Sequence, residues 1–333
     1  MLREAIVLNT PKMPPEWAPQ DWLWIGFPHL AEEWPGFLEL AQEQIAAFAN
    51  AVAESGQAVR LLARDGSNAA RARLLVSEAV RIEPRSHGDI WLRDTGPLIV
   101  SGPEGRGARR FGFNGWGGKF LMEGDQEIGE ELARDAGLPL KTSPMILEGG
   151  AVDGDGTGIA VTTEQCLLNP NRNPAMSRGE IEAELADALG FERILWLGDG
   201  LINDHTDGHV DNLARFVGPS RLVVPEATDK DDPNTAIYAD AKARAEAFGA
   251  SVITIPSPGL ITRDGAIEPA SYVNFAITTR LVVVPTFGSP HDDAGVKAIA
   301  ELFPDRDTVG LPADAVLAGG GGFHCASQQM PSA

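Results

Sequence analysis

Short apolar segments typical of β-strands alternate with segments of helical periodicity along almost the whole 333-residue chain. The pattern predicts strands at 22–27, 59–63, 89–100, 193–197, 221–224, 251–255, 272–277 and 280–284, with a hairpin of 151–152 and 159–163. It predicts helices at 35–55, 67–77, 125–136, 178–189, 239–248 and 294–303. Because no Gly/Ser/Pro-rich tract divides the chain, we expect a single α/β domain over residues 1–333.

The net charge of the chain limits the kinds of molecule that it is expected to bind. The chain carries 47 acidic and 27 basic residues, a formal net charge of −20. Nucleic acids and anionic membranes are bound through Lys and Arg contacts, so this balance disfavours both. Small cations are attracted by such a field, although acidity also serves solubility alone.

The cysteine content and the N-terminal sequence indicate a compartment. Two cysteines, Cys166 and Cys325, are too few for a disulfide framework in a chain of this length, so both are expected to be free thiols. The N-terminal apolar run at 5–8 is too short for a signal sequence or a membrane span. We therefore expect a cytoplasmic protein.

The densest polar segment is GDGLINDHTDGHVD at 198–211. In an extended segment His209 and Asp211 would share one face, where they could move a proton and bind a cation. A solvated acidic turn is the alternative interpretation. Zinc binding by His205 and His209 would require a helix, which Asp207 and Gly208 between them oppose.

Cys325 follows four consecutive glycines in GGGGFHCASQQ. Glycines allow a ligand to approach the backbone closely, so this cysteine is a candidate exposed nucleophile, and His324 could support its thiolate. A buried core cysteine is the alternative. That interpretation suits Cys166 better, because Cys166 lies in an apolar run.

Two carboxylates occupy unusual positions. Asp94, in DIWLRDTGP, is either a turn former or a functional acid, and Trp91 is either a surface for a cation or a core residue. Glu148 lies between an apolar run and two glycines, where burial would require a partner such as histidine. The run DGDGTGIAVTTE has calcium-loop spacing, but its β-like flanks favour a hairpin.

Taken together, these segments resemble the agmatine deiminase family of the guanidine-modifying pentein superfamily, which is related to bacterial-type peptidyl-arginine deiminases. The matching motifs, in the family's order, are MPPEW (13–17), WLRDTGP (91–97), FNGWGGK (113–119), LEGGAVDGDG (147–156), NPNRNP (169–174), DGHVDNLARFV (207–217) and GGGGFHCASQQMP (319–331). Phe323, and Ala326 with Ser327, depart from the usual motif, which we expect to affect substrate fit rather than reaction type.

The resemblance implies an α/β propeller of five pseudo-repeated ββαβ units around a central channel. It also implies a hydrolase of C–N bonds in linear amidines, which converts agmatine to N-carbamoylputrescine and ammonia on a route to putrescine. No metal or organic cofactor is expected. The implied roles are nucleophile for Cys325, acid and base for His209, orienting carboxylate for Glu148, guanidinium binding for Asp94 and Asp211, and cavity walls for Trp91 and Trp116.

Other functions stay open on the sequence alone. The same chemistry could act on arginine, peptidyl-arginine or a methylated arginine. A catalytically silent member that binds a cationic metabolite is the alternative from a different class, although a binding protein needs no thiol. The expected partner is a small cationic guanidine, the group that binds its distal amine is not identifiable, and a homo-oligomer is compatible with the sequence.

Overall fold

The computed structural model describes residues 11–333, so the apolar run at 5–8 lies outside the described residues. The strands are β1 (Gln20–Gly26), β2 (Val59–Ala63), β3 (Val80–Pro84), β4 (Leu98–Gly102), β5 (Gly105–Gly112), β6 (Leu140–Ile146), β7 (Asp153–Gly154), β8 (Ile159–Thr163), β9 (Arg193–Leu197), β10 (Arg215–Gly218), β11 (Arg221–Glu226), β12 (Ser251–Pro256), β13 (Thr262–Arg263), β14 (Ala266–Ile267), β15 (Ala276–Ile277), β16 (Leu281–Thr286), β17 (Asp307–Pro312) and β18 (Ser327–Pro331). The helices are α1 (Leu38–Glu54), α2 (Gly66–Arg73), α3 (Leu92–Thr95), α4 (Gly115–Gly118), α5 (Ile128–Asp135), α6 (Glu164–Leu167), α7 (Arg178–Leu189), α8 (Thr235–Phe248), α9 (Asp292–Leu302) and α10 (Asp314–Leu317).

One strand pattern recurs five times. In each unit an antiparallel pair is followed by a helical crossover to a third strand, which is parallel to the second: β4-β5-β6, β7-β8-β9, β10-β11-β12 and β15-β16-β17. The fifth unit joins distant parts of the chain, because β18 pairs antiparallel with β1, and β1 pairs parallel with β2 through α1. The α/β fold of five ββαβ units is therefore confirmed.

Local signals explain where the crossover helices begin and end. Helix α7 begins with a capping box, in which Ser177 and Glu180 satisfy each other's backbone N–H groups, and it ends at Gly190 in the left-handed conformation. Its bounds match the predicted helix. Across the part of the chain that the structure describes, no helix combines the length and apolar character needed to cross a bilayer.

The predicted strand at 89–100 is wrong in its first half. Residues Leu92–Thr95 form the single helical turn α3, and the strand begins only at Leu98. The backbone N–H groups of Asp94 and Thr95 turn back to the carbonyl of Trp91, at 3.0 and 3.2 Å. Because every residue of this turn is buried, its polar and apolar side chains do not show helical periodicity.

The segment around His209 and Asp211 is also not extended. A 3-10 turn at Val210–Asn212 follows Gly208, whose φ of 84° is in the left-handed region. The hairpin interpretation of the Gly-rich run is confirmed, since β7 pairs antiparallel with β8. Strand 272–277 is shortened to Ala276–Ile277.

Candidate active site

The candidate site is built from equivalent places in the five units. Each unit contributes residues from the segment just before its first strand, namely Asp94 before β4, Glu148 before β7, His209 and Asp211 before β10, Asn274 before β15 and Cys325 before β18. The pseudo-repeat therefore brings residues from distant parts of the chain to one place. Asp94 and Cys325, for example, are 231 positions apart (325 − 94 = 231). All of these side chains except Asn274 are candidates that the sequence alone indicates.

A cavity that opens to solvent has the predicted nucleophile in its wall. It is lined by Glu33, Asp89, Trp91, Asp94, Trp116, Phe120, His205, Thr206, Gly319, Gly320 and Cys325. The indole Nε1 of Trp116 donates a 2.9 Å hydrogen bond to Asp94 Oδ2. A Cβ on Gly321 would lie 2.8 Å from the Trp91 ring and 2.9 Å from Cys325 Cβ, so glycine permits the close packing of this wall.

Cys325 faces this cavity and is 6% exposed. Its Sγ accepts a 3.1 Å hydrogen bond from Asn274 Nδ2 and lies 3.5 Å from Asp211 Oδ2. Burial, followed by the negative charges of Asp211 and Asp94, raises the pKa of this thiol well above its ordinary value. The free protein therefore holds a thiol here, which would ionise when a cation reaches the two carboxylates.

Asp94 and His209 form the next pair. Oδ1 of Asp94 accepts a 2.8 Å hydrogen bond from the Gly150 N–H and lies 3.7 Å from Nδ1 of His209. Burial opposes a charged imidazole, but Asp94, together with Cys166 and Glu148, outweighs it and raises the pKa of His209 well above its usual value. A protonated His209 can act as a general acid.

Glu148 lies near His209 but is held by a different residue. Its Oε1 accepts a 2.7 Å hydrogen bond from Arg172 Nε, and both side chains are fully buried. Within residues 11–333 its Oε2 has no hydrogen-bond partner, so the hydrogen bond to His209 that the implied orienting role requires is not formed in this structure. Arg172 was not predicted as a site residue, although it lies within the NPNRNP motif.

Cys166 is a buried core residue, as expected, but its thiol does not face apolar atoms alone. One ligand atom each from Cys166, Glu148 and His209 lies within 4.8 Å of the others. These three could hold a metal ion, but an ion there would compete with Arg172 for Glu148 and with proton transfer for His209. A metal-independent protein remains our prediction.

His324 does not support the thiolate as predicted. Its Nδ1 lies 2.7 Å from Asp211 Oδ2 and its Nε2 lies 2.8 Å from Glu16 Oε1. Burial opposes ionisation of Asp211, but the hydrogen bond and charge of His324 outweigh it and lower the pKa of Asp211. His324 therefore orients an ionised Asp211 towards the sulfur. Phe323 packs against Phe48 in the core, so its departure from the family motif changes the packing there.

The raised pKa of Cys325 is testable in the free protein. We expect its rate of alkylation by iodoacetamide to keep rising beyond pH about 8.5, the range of an ordinary thiol. Asp211→Asn removes a negative charge that disfavours the thiolate, so its profile should move to lower pH. Mass spectrometry of the peptide that contains Cys325 gives these rates, and a shift to higher pH in the variant would contradict the assignment.

Five ββαβ units that surround a buried Cys, His and paired carboxylates define a protein of the guanidine-modifying pentein class. The chain belongs to the Porphyromonas-type peptidyl-arginine deiminase family, whose sequence profile matches residues 12–331. It is 36% identical to the agmatine deiminase of Stutzerimonas stutzeri, over 96% of this chain and 95% of that one. These matches confirm the family resemblance that the motifs indicated.

Solved structures agree with this assignment. The agmatine deiminase of Enterococcus faecalis superposes with a TM-score of 0.91 at 29% identity, and the match covers 97% of this chain and 96% of that one. An amidinotransferase of Microseira wollei has a TM-score of 0.58 at 12% identity, with 96% of each chain covered, and shows the fold alone.

Proposed function

We propose that this chain is an agmatine deiminase, a hydrolase that converts agmatine and water to N-carbamoylputrescine and ammonia through a covalent intermediate on Cys325. The observation that carries the proposal is a cavity lined by the thiol of Cys325 and the carboxylate of Asp94, with the buried Asp211 Oδ2 3.5 Å from the sulfur. Relatives and structural neighbours that carry this activity support it.

Binding would activate the nucleophile. The planar guanidinium of agmatine can donate charge-assisted hydrogen bonds to two carboxylates, with Asp94 and Asp211 on its edges and its carbon above Sγ of Cys325. The positive charge of the substrate then neutralises those carboxylates and lowers the pKa of the thiol. The thiol proton is released to solvent. The resulting thiolate is held by Asn274 and is ready to attack.

The first half-reaction releases ammonia. Sγ forms a bond to the guanidinium carbon, which becomes tetrahedral. The proton on His209 passes to the departing –NH₂ group, the C–N bond breaks, and NH₃ leaves. The product of this step is a cationic amidino-thioether on Cys325 and a neutral His209.

The second half-reaction uses the same imidazole as a base. Neutral His209 takes a proton from water while the water oxygen adds to the amidino carbon. The C–S bond then breaks, Cys325 leaves as the thiolate, and loss of the hydroxyl proton gives the ureido product. The hydroxyl proton ends on ammonia as ammonium, and the thiolate takes back from solvent the proton that it lost on binding, so atoms and charges balance.

The family resemblance also motivates a biological setting. We propose that the activity supplies N-carbamoylputrescine for putrescine formation in the cytoplasm, with residues 1–333 as one catalytic domain. The partner is a small guanidine cation, and no nucleic-acid or membrane partner is expected at a net charge of −20. The proposed mechanism uses residues of a single chain, so it is compatible with a homo-oligomer.

Substrate preference gives the most direct test. The cavity lining described above contains no Lys or Arg, and His205 is its one imidazole. Arg93 and Arg215 do not reach the cavity, because both pair with the buried Glu16. The carboxylate of arginine would thus lack a cationic partner, so we expect kcat/KM for agmatine to exceed that for arginine by at least about a hundredfold.

The assay follows ammonia and the ureido product with agmatine and with arginine, with and without a chelator. An arginine value equal to or above that of agmatine would leave the chemistry in place and overturn the substrate. Activity that a chelator removes and zinc restores would instead overturn the metal-independent mechanism.

A further inference from the structure

A buried ionic network reaches the proposed nucleophile through Asp211, whose Oδ2 lies 3.5 Å from Sγ of Cys325. The network consists of six buried charged side chains from distant parts of the chain, namely Glu16, Arg93, Asp153, Asp211, Arg215 and His324. The proposed reaction uses Asp211 directly and gives no role to Glu16, although Glu16 contacts three other members.

Glu16, which lies just before β1, is the centre of the ionic network. Its Oε1 lies 2.9 Å from Arg93 Nη1 and 2.8 Å from His324 Nε2. Its Oε2 accepts a hydrogen bond from Arg215. Burial opposes ionisation of Glu16, but the charges of the two arginines and of the imidazole outweigh it and lower the pKa of Glu16 well below its usual value. Glu16 is therefore an ionised carboxylate, which accepts hydrogen bonds and donates none.

His324 lies between two such carboxylates. Its Nδ1 is 2.7 Å from Asp211 Oδ2, and its Nε2 is the atom that contacts Glu16. Because an ionised carboxylate has no proton to donate, each ring nitrogen must carry a proton in order to bind its partner. The ring is thus a buried cation with one carboxylate at each nitrogen.

The charges of the ionic network agree with a cationic ring. Burial raises the pKa of Asp153 to about 6, so this residue is largely ionised at neutral pH, and it lies 3.4 Å from Arg215 Nε. Three carboxylates and two guanidiniums leave one negative charge, which a protonated His324 neutralises. Without the charge of Glu16, two carboxylates would balance two guanidiniums, and we expect the ring to lose one proton.

The ring determines which oxygen of Asp211 is available to a ligand. His324 occupies Oδ2, whereas Oδ1 is buried and has no hydrogen-bond partner within residues 11–333. A buried acceptor without a partner is unfavourable, and an N–H group of a guanidinium would satisfy it. A hydrogen bond from a charged ring is roughly twice as strong as one from a neutral ring, so the cation holds this orientation of Asp211 more firmly.

We propose that Glu16 is a positioning residue, which holds His324 as a donor at both ring nitrogens and, through that ring, fixes Asp211 with Oδ1 free for the substrate guanidinium. The inference rests on the proposed function for the identity of that cation, whereas the state of the ring does not depend on it. Glu16 does not line the cavity, so it acts on the substrate through His324.

Nitrogen NMR of isotopically labelled imidazole rings tests the link from Glu16 to His324. At neutral pH both ring nitrogens of His324 should carry a proton in the wild-type protein, and one of them in Glu16→Gln. His324→Asn identifies the signal, because it removes this ring alone. A neutral ring in the wild-type protein, or an unchanged ring in a folded Glu16→Gln variant, would overturn the inference.

Kinetics test the link from His324 to the substrate. Glu16→Gln is expected to lower kcat/KM for agmatine by about tenfold, because a neutral ring holds Asp211 less firmly. His324→Asn keeps an amide donor for Asp211 and removes the contact with Glu16, so we expect a loss of about tenfold or more. If Glu16 acts through His324, adding Glu16→Gln to His324→Asn should change kcat/KM by less than about threefold. Losses that multiply would show that Glu16 acts by a different route, and would overturn the inference.

Glu83→Gln is the matched control. Glu83 is a buried carboxylate on β3 that lies 2.8 Å from Arg81 Nε and does not line the cavity, so this substitution removes the same charge outside the ionic network. It should leave kcat/KM within about twofold of the wild-type value and the His324 ring unchanged. A loss as large as that of Glu16→Gln would contradict a specific role for Glu16.

The outcomes separate this inference from the proposed function. If no guanidine is hydrolysed, the proposed function fails, and the NMR comparison still decides the link from Glu16 to His324. A thermal melt shows whether each variant is folded. If Glu16→Gln does not fold, the wild-type ring decides the inference, because two protonated nitrogens support it and a neutral ring overturns it.

Discussion

Replacing Cys325 with serine is expected to lower the turnover of agmatine by about 10⁴-fold or more. A serine hydroxyl is far less acidic than a thiol, and here it would face the charges of Asp211 and Asp94 with little chance of ionising. The measurement is ammonia release at saturating agmatine, with a thermal melt to show that the variant is folded.

Mass spectrometry after an acid quench of the wild-type reaction should find the amidino adduct on the peptide that contains Cys325. Cys166→Ser is the contrasting variant. It keeps a polar atom beside His209 and leaves the nucleophile in place, so we expect a loss within about tenfold and an adduct that still maps to Cys325. Equal losses in the two variants would contradict the assignment of the nucleophile.

Asp94→Asn and Asp211→Asn are each expected to lower kcat/KM for agmatine by about 10³-fold. Each carboxylate has its orientation fixed by the protein, Asp94 by Trp116 and the Gly150 N–H, and Asp211 by His324. An amide in either place removes one charge and turns one acceptor into a donor, so the guanidinium carbon is no longer held over the sulfur.

The control for charge alone is Asp199→Asn, because Asp199 is an exposed acid of the same polar segment and does not line the cavity. It should retain wild-type kcat/KM. Losses of similar size in all three variants would mean that the overall field of the protein, rather than two placed carboxylates, controls the rate.

Much of the fold could be predicted because burial is periodic in its regular elements. Strands β2 and β9 and helix α7 have the bounds that their hydropathy and caps predict. The helical turn at Leu92–Thr95 could not be predicted from the sequence, because all of its residues are buried. Its shape is set by tertiary contacts, such as the hydrogen bond from the Arg93 N–H to the Cys325 carbonyl.

The reactive side chains of the candidate site were identifiable from their motifs, but their supporting partners were not. Asn274 lies in an apolar segment without a motif. The one signal that indicates it is its position in the repeat, because each of the five units contributes site residues just before its first strand. His324 was identified but assigned to the wrong partner, because sequence adjacency to Cys325 does not show which way a ring points. Its ring faces Asp211 and Glu16 instead.

The pairing of β18 with β1 has a kinetic consequence. It joins Gln20 to Pro331, the most distant strand pairing described here, and contacts of such separation form slowly because loop closure is entropically unfavourable. Cys325 lies two residues before β18, so its sulfur reaches Asn274 and Asp211 only when β18 pairs with β1. In a refolding experiment, enzymatic activity should therefore return later than helical circular dichroism, with a time course that follows the assembly of the first and last strands.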